Sequence, residues 1–259
     1  MFYKSLILAT VASALLLGLL LGFAVFSQTQ SSQGQLVLLD PEMAPQNIKP
    51  LVMKGFQILL ETKKNLPEYV GARLNCTNCH FNCGNTFGGI NEGFSLVGVS
   101  KRYPREVPGN PHFTLADRIN ACFTKSMNGK PVPVDSPAMK AMIAYLDWIS
   151  DGLTTPPSWL GTKKLHFQNP PNVQNGELHY KKNCAICHGN DGDGQIKPDQ
   201  LSYPPVWGKN SFNTEAGMHE VETLASFIYY NMPYQDPGLT IEEALDIATF
   251  ISQQPRPTP

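Results

Sequence analysis

Two short stretches of the chain carry the same reactive pattern. Residues 76–80 read CTNCH, and residues 184–188 read CAICH. In a C-x-x-C-H motif, two thiols can add to the two vinyl groups along one edge of a haem, and the histidine then lies under the iron as an axial ligand. A single match could equally be a zinc-binding or redox CxxC. Two complete matches predict two covalently attached c-type haems, held by Cys76, Cys79, Cys184 and Cys187, with His80 and His188 on the irons.

The elements around each motif predict how these groups are positioned. A helical segment precedes each motif, at residues 48–64 and 172–183, and another follows it, at 136–152 and 240–254. In the segment 136–152 the apolar residues recur at helical spacing, and Gly152 suits a C-terminal cap. Strand signals are scarce. The expected fold is therefore mostly α, with two tandem cytochrome c-type domains, each built around one haem.

Four segments follow from composition. The uncharged stretch from Leu6 to Phe26 matches the roughly 20 residues of a spanning helix, so residues 1–27 are expected to form a signal anchor. A signal peptide removed after export is the alternative. The polar residues 28–47 are expected to be a tether. The Pro-rich stretch near residue 156 then separates a first haem domain, 48–156, from a second, 157–259.

Charge and location narrow the class of protein. The chain of 259 residues has 20 Lys+Arg and 21 Asp+Glu, so its balance gives no reason to expect a nucleic-acid partner. Lys4 on the short N-terminal side favours a cytoplasmic N-terminus. The body is then expected in the periplasm, bound to the inner membrane by the N-terminal helix or released after cleavage.

The second axial ligand of each haem has to be sought elsewhere in the sequence. Met232, on a proline-containing loop before the last helix, is the candidate for the second haem, with Met218 and His219 as rivals. The first half has no equivalent loop. Its candidates are Cys122, Met127 and His112.

The two cysteines outside the motifs leave three possibilities. Cys83 and Cys122 could form a disulfide in an exported protein, or Cys122 could be an inert core thiol. The third is a functional thiol. Residues four apart share a helix face, so Arg118, Cys122 and Ser126 would form one stripe. Arginine suits oxyanions and would also hold a nearby thiol as the thiolate.

Several stretches together resemble a known family. They are LNCTNCH, DRINACFTKSMNGKPVPVDSPAMKAMIAYLDWIS, YPPVWGKNSFNTEAGM and NMP. Over residues 50 to 254 the chain resembles the dihaem thiosulfate dehydrogenases, which are related to a cytochrome of the sulfur-oxidising Sox complex. The stretch around Cys122 is the specific part. The resemblance implies an enzyme that joins two thiosulfates into tetrathionate and releases two electrons.

The resemblance also implies roles for individual residues. Cys122 matches the family's cysteine ligand of the active-site haem, and Arg118 and Ser126 match its substrate-binding arginine and serine. Arg102, Arg105 and Lys130 are further candidates for the basic lining. The haem with His188 and Met232 would pass electrons to a soluble cytochrome c or a similar acceptor. Some members carry a ligating lysine before that methionine, where this chain has Asn231.

Three other functions stay open on the sequence. One is tetrathionate reduction by the reverse reaction with the same residues. Another is a dihaem electron-transfer cytochrome without a substrate site. The third is a Sox-type cytochrome that acts on a cysteine of a carrier protein.

Overall fold

The computed structural model describes residues 36–155, 157, 165–196 and 202–259. The predicted signal anchor, the first part of the tether and Pro156 lie outside these residues. Within the described part, no helix combines the length and the apolar character needed to cross a membrane. Leu38–Pro259 form one compact unit.

The first half of this unit is helical with one small hairpin. Its helices are α1 (Lys49–Leu60), α2 (Thr62–Asn65), α3 (Leu115–Ala121) and α4 (Pro137–Trp148). A π-helical turn, Cys122–Ser126, continues α3 directly. Strands β1 (Arg105–Val107) and β2 (Asn110–Phe113) pair antiparallel.

The second half repeats the helical plan. Its helices are α5 (Val173–Asn183), α6 (Ala185–His188), α7 (Val221–Asn231) and α8 (Ile241–Ser252). The short strands β3 (Gln195–Ile196) and β4 (Ser202–Tyr203) pair antiparallel. The mostly α fold predicted from the sequence is confirmed.

In both halves a glycine lets the first helix cross the last one at close range. A Cβ on Gly55 in α1 would collide with the carbonyl oxygen of Ala141 in α4. A Cβ on Gly176 in α5 would collide in the same way with the carbonyl oxygen of Asp246 in α8. The absence of a side chain therefore sets the distance between the terminal helices that frame each haem motif.

Helix ends follow local chemistry, with one correction to the sequence prediction. Ser136 and Thr240 cap α4 and α8 by accepting from the amides of Met139 and Glu243, both at 3.1 Å. α4 ends at Trp148, and Ile149 is its C-cap. Gly152, predicted as that cap, instead occupies the turn beyond, with φ of 72°. The predicted cap was placed too late because the chain leaves the helix before the glycine.

The hydrophobic cores do not divide where the sequence repeat divides. The first core is centred on α1 and α4, yet it includes Phe212 and Ala216 from the second half. Met218 packs against both cores. Backbone and side-chain bonds also join the halves: the Arg73 amide donates to the Asn210 carbonyl at 2.7 Å, and Asn213 Nδ2 donates to the Thr124 carbonyl at 2.9 Å.

The sequence pattern did not reveal α7. This helix ends at Asn231, and Met232 is its C-cap. Its apolar residues are mixed with Ser226, Tyr229 and Tyr230 rather than set in a clean stripe, because it packs on more than one side.

Candidate active site

The first haem motif lies on the wall of a cavity of about 350 Å³. The motif contributes Cys76, Cys79 and His80 to this wall. The α3 and π-helical segment contributes Arg118, Cys122 and Ser126. The structure therefore brings the two groups of residues singled out in the first half around one space.

A change of helix type positions the reactive stripe. A capping box at Thr114 and Asp117 starts α3, so its N-terminus is fixed by reciprocal hydrogen bonds. After Ala121 the helix widens, and the Met127 amide donates to the Cys122 carbonyl five residues back at 2.9 Å. π-Helical turns of this kind are frequent at functional sites. The sequence predicted a regular α-helical stripe and did not foresee this widening.

Arg118 and Cys122 are in direct contact. Arg118 Nη1 donates to Cys122 Sγ at 2.8 Å. The pKa of the Arg118 guanidinium is raised, first by its attraction to Cys122 and then by Tyr103. The arginine therefore stays charged beside the sulfur.

Additional arginines surround the opening of the cavity. Arg102 and Arg105 line it and are exposed. The Arg105 guanidinium lies 5.3 Å from the centre of the Tyr103 ring. Lys130 is placed differently, with its ammonium 5.6 Å from the centre of the Tyr69 ring. Among the described residues, three arginines therefore line this cavity and make part of its wall positive.

The structure also locates the three candidates for the second axial ligand of the first haem. Met127 lines the cavity but is buried in the first core. His112 is exposed on β2. Cys122 is half-buried at the cavity surface, so among these three it combines access with a charged neighbour.

His80 is held in the form that a metal ligand requires. Its Nδ1 is 2.8 Å from the carbonyl oxygen of Phe94, so Nδ1 carries the proton and Nε2 is the nitrogen left to bind iron. Burial lowers the pKa of His80 to about 4. The imidazole is therefore neutral, which is the ligating form.

The attachment cysteines share this buried setting. Burial raises the pKa of Cys76 and of Cys79 to about 12. The Cys76 amide donates to the Thr62 hydroxyl at 2.9 Å, which ties the motif to α2. Both side chains line the largely apolar cavity.

The second motif repeats the arrangement in outline. His188 Nδ1 is 2.8 Å from the Pro204 carbonyl oxygen, and burial lowers the pKa of His188. Tyr180 in α5 donates its hydroxyl to the Gly189 carbonyl at 2.7 Å. Met232 packs on the second core at the end of α7.

The two rivals of Met232 occupy other places. Met218 lines the first cavity and contacts both cores. His219 has its Nδ1 buried and without a hydrogen-bond partner among the described residues.

Cys83 has no access to the cavity. Its side chain is fully buried, and Sγ is 3.7 Å from the Phe56 carbonyl oxygen. Burial raises the pKa of Cys83 to about 12. All six cysteines lie within the described residues, and none is joined to another. The arrangement therefore favours a packing role for Cys83.

Sequence reasoning missed the residues that support the site from behind. Phe94, Pro204 and Tyr103 act through contacts between distant loops, and each is an ordinary loop residue in the sequence. Their partners lie 14 to 16 residues away or more, beyond the reach of a local pattern. Pro204 falls in the stretch YPPVWGKNSFNTEAGM that carries the family resemblance, but no signal in the sequence marked its contact with His188.

The fold and the two motifs define a dihaem c-type cytochrome with a basic, thiol-bearing cavity beside its first haem motif. Residues 71–155 match the family "SoxA/TsdA, cytochrome c domain", and residues 171–251 match "Cytochrome C oxidase, cbb3-type, subunit III". The chain is 36% identical over 211 residues to the thiosulfate dehydrogenase of Allochromatium vinosum, covering 80% of this chain and 78% of that protein. It is 36% identical over 212 residues to the enzyme of Stutzerimonas stutzeri, covering 80% and 68%. The chain therefore belongs to the thiosulfate dehydrogenase family and is an oxidoreductase with two c-type haems.

A solved structure shares the fold. The thiosulfate dehydrogenase TsdBA from Marichromatium purpuratum, in its "as isolated" form, superposes with a TM-score of 0.74 at 27% identity. The match covers 86% of this chain and 50% of the solved one, so the chain spans half the length of that protein.

The residues present fit a haem in each half. Each motif offers two half-buried thiols, with an imidazole whose Nδ1 is already engaged by a backbone carbonyl. Beside the first cavity, Arg256 lies 4.3 Å from the centre of the Phe212 ring, and its Nε and Nη1 are buried without partners among the described residues. A haem carboxylate is the kind of anion that such a guanidinium needs.

Proposed function

We propose that this chain oxidises two thiosulfates to one tetrathionate in the cavity at the first haem. The 2.8 Å contact between Arg118 Nη1 and Cys122 Sγ carries the proposal, because it places a charged anion-binding group and a nucleophile side by side. His80 and Cys122 would be the axial ligands of the first haem, and His188 and Met232 those of the second. The family relatives named thiosulfate dehydrogenase support this substrate.

The arginines answer the main physical obstacle to the reaction. Thiosulfate is a dianion, and two of them repel each other. One opposite charge at 4 Å offsets about 4 kcal/mol at an effective dielectric constant near 20. Arg118 and Ser126 would hold the sulfonate oxygens of the first thiosulfate, with Arg102 and Arg105 drawing it in from solvent.

The proposed chemistry is covalent and balanced. The Cys122 thiolate forms a disulfide bond to the outer sulfur of thiosulfate, giving a cysteine S-thiosulfonate and releasing two electrons. The outer sulfur of a second thiosulfate attacks the sulfur bonded to Cys122, forms the central bond of tetrathionate, and expels the Cys122 thiolate. When bound, the haems supply two one-electron sinks beside this thiol.

Electrons then leave through the second half. A methionine ligand raises haem potential, so the site of His188 and Met232 suits the exit step. A soluble cytochrome c or similar protein is the proposed acceptor. The periplasm is the proposed location, with residues 1–27 as a membrane anchor.

The first experiment tests turnover directly. Thiosulfate is added to the oxidised, purified protein with excess electron acceptor, while the haem reduction bands and tetrathionate are followed. One tetrathionate per two electrons is expected. If neither reduction nor tetrathionate appears, the reduced protein is mixed with tetrathionate, and its reoxidation with thiosulfate release would assign the reverse direction instead.

A matched pair of cysteine variants assigns the nucleophile. Cys122→Ala should nearly abolish turnover while both haems remain attached, because only the reacting sulfur is lost. Cys83→Ala should retain turnover, because Cys83 is buried away from the cavity. Substantial turnover in Cys122→Ala would exclude the covalent mechanism, and equal loss in both variants would indicate a structural effect.

A further inference from the structure

We infer that the Gly93–Phe94 segment and Asn231 form a bridge that fixes Met232 and conducts electrons between the two haems. Asn231 is the positioning residue of this bridge. The inference rests on the ligand assignment proposed above, in which His80 serves the first haem and Met232 the second.

One end of the bridge is attached to the first haem motif. The Phe94 amide donates to the Cys79 carbonyl at 2.9 Å, and the Phe94 carbonyl oxygen is the 2.8 Å partner of His80 Nδ1. The same residue therefore contacts an attachment cysteine and the proximal histidine. A movement of Phe94 would change the hydrogen bond that tunes the ligand.

The other end is attached to the residue before Met232. The Gly93 amide donates to Asn231 Oδ1 at 2.8 Å, and Asn231 Nδ2 donates to the Phe227 carbonyl at 3.0 Å. Asn231 is 2% exposed, so both bonds are made away from water. Leaving either partner unsatisfied there is costly.

Backbone contacts on both sides of Asn231 reinforce the attachment. The Asn91 amide donates to the Tyr230 carbonyl at 2.9 Å. Beyond the methionine, the Gln235 amide donates to Asn91 Oδ1 at 3.0 Å. The loop of the first half thus holds the chain before and after Met232.

A chain of contacts between aromatic side chains lies beside this hydrogen-bonded route. The His80 and Phe94 rings are 6.1 Å apart between centres, and Phe94 is 5.0 Å from Phe227 in α7. Phe81, next to His80, also contacts Phe227 at 5.8 Å and Tyr234 at 5.3 Å. Packed aromatic side chains therefore run from His80 to α7 and to Tyr234 in the loop after Met232.

The geometry gives a continuous covalent and hydrogen-bonded route between the ligands. It runs from His80 through the Phe94 carbonyl and the Gly93 amide to Asn231, and then one residue along the chain to Met232. One electron passing this way oxidises the ferrous first haem and reduces the ferric second haem. The Asn231 side chain therefore joins the second half to the first through its hydrogen bond with the Gly93 amide.

The test compares two buried asparagines that both bond across the halves. In holoprotein, Asn231→Leu keeps the size of the side chain and removes both hydrogen bonds. Asn213→Leu is the matched control, since Asn213 is 1% exposed and bonds to Thr124 far from Met232 in the sequence. An electron is delivered by laser photoreduction with a flavin, and its equilibration between the haems is followed by absorbance. The charge-transfer band of methionine-ligated ferric haem is recorded in parallel.

Asn231→Leu is expected to weaken that band and to slow inter-haem transfer about tenfold, the lower range for losing a group behind a metal ligand. Asn213→Leu should leave both the methionine charge-transfer band and the rate of inter-haem transfer unchanged. Should Asn231→Leu not fold, Asn91→Gly decides, because position 91 has φ of 59° and glycine keeps that backbone. It loses only the bond to Gln235 and should move both readouts in the same direction.

The bridge would be overturned if Asn231→Leu kept the wild-type charge-transfer band and the wild-type rate of inter-haem transfer. If Asn231→Leu does not fold, the same result in Asn91→Gly would overturn it. Equal changes in Asn231→Leu and Asn213→Leu would also overturn it, because they would indicate a general loosening of the halves. A wild-type protein without the methionine band would instead refute the ligand assignment, and the transfer rates would still decide whether the bridge conducts.

Discussion

Arg118 and Cys122 lie one turn apart on the α3 and π-helical segment, and Arg118 Nη1 is 2.8 Å from Cys122 Sγ. In the proposed mechanism this contact joins the group that binds the anion to the atom that reacts with it. Substitutions of the two residues should consequently affect the same step, and their effects on kcat/KM should not add.

Arg118→Gln should lower kcat/KM for thiosulfate by about 10²–10³, the usual cost of losing one preorganised donor to developing charge. Both haems should remain attached. Steady-state tetrathionate formation measures the effect. Lys125→Gln is the control, because Lys125 lies in the same segment but pairs with Glu215 at 3.2 Å. A comparable loss in Lys125→Gln would show that net charge, not the Arg118 contact, governs the rate.

Ser126→Ala should lower kcat/KM about 10- to 100-fold, because a hydrogen bond to a charged group contributes about 1.5–3 kcal/mol. Thr124→Val removes a hydroxyl from the same turn, one that donates to the Asn120 carbonyl at 3.1 Å. The same kinetic assay should find this control close to wild type. An unchanged kcat/KM in Ser126→Ala would remove Ser126 from the substrate site.

Gly176→Ala should lower the free energy of unfolding by about 1–3 kcal/mol through overpacking of α5 against α8. The new methyl group would meet the Asp246 carbonyl oxygen. Gly238→Ala is the matched control, since a Cβ there has no atom within 4 Å. Denaturant titration of both variants measures the difference, and equal stabilities would contradict the close crossing of the helices.

We expect Asp117 to contribute to stability in a pH-dependent way. The Thr114 amide and hydroxyl donate to Asp117 Oδ2 at 2.8 and 2.7 Å, and they lower the pKa of this carboxyl. A depressed folded pKa stabilises the protein above the unfolded value of about 3.9, and the gain is lost as pH falls through the folded value.

Asp117→Asn should therefore melt below wild type at neutral pH, and the two melting temperatures should converge in acid. Thermal denaturation over a pH series measures this. Asp135→Asn changes an exposed carboxylate and is the control. A gap between Asp117→Asn and wild type that stays constant down to strong acid would mean that ionisation of Asp117 plays no part.

Local sequence was sufficient for the haem motifs and for the helices that frame them. The predicted starts of the helices at residues 136 and 240 are confirmed, because Ser136 and Thr240 cap them through hydrogen bonds within three residues. Arg118, Cys122 and Ser126 were also predicted to share a face, and all three line one cavity.

The parts that could not be predicted depend on contacts between distant segments. The carbonyl of Phe94 supports His80 across 14 residues, and Asn231 bonds to Gly93 across 138. No local pattern marks such pairs. The π-helical turn was missed for a different reason, since its residues are compatible with an ordinary α-helix and such turns are rare.

Residues of the second half complete the first core, and this limits which segments of the chain can be exchanged. Phe212 and Ala216 complete that core, and Gly217 and Met218 form part of the first cavity wall, although all four belong to the sequence of the second half. Exchanging the second half for that of another dihaem cytochrome would therefore alter the cavity at the first haem motif as well as the second haem domain. The two halves repeat one plan, but one cannot be exchanged independently of the other. A recombinant chain would have a mismatched cavity unless residues 212–218 were kept together with the first half.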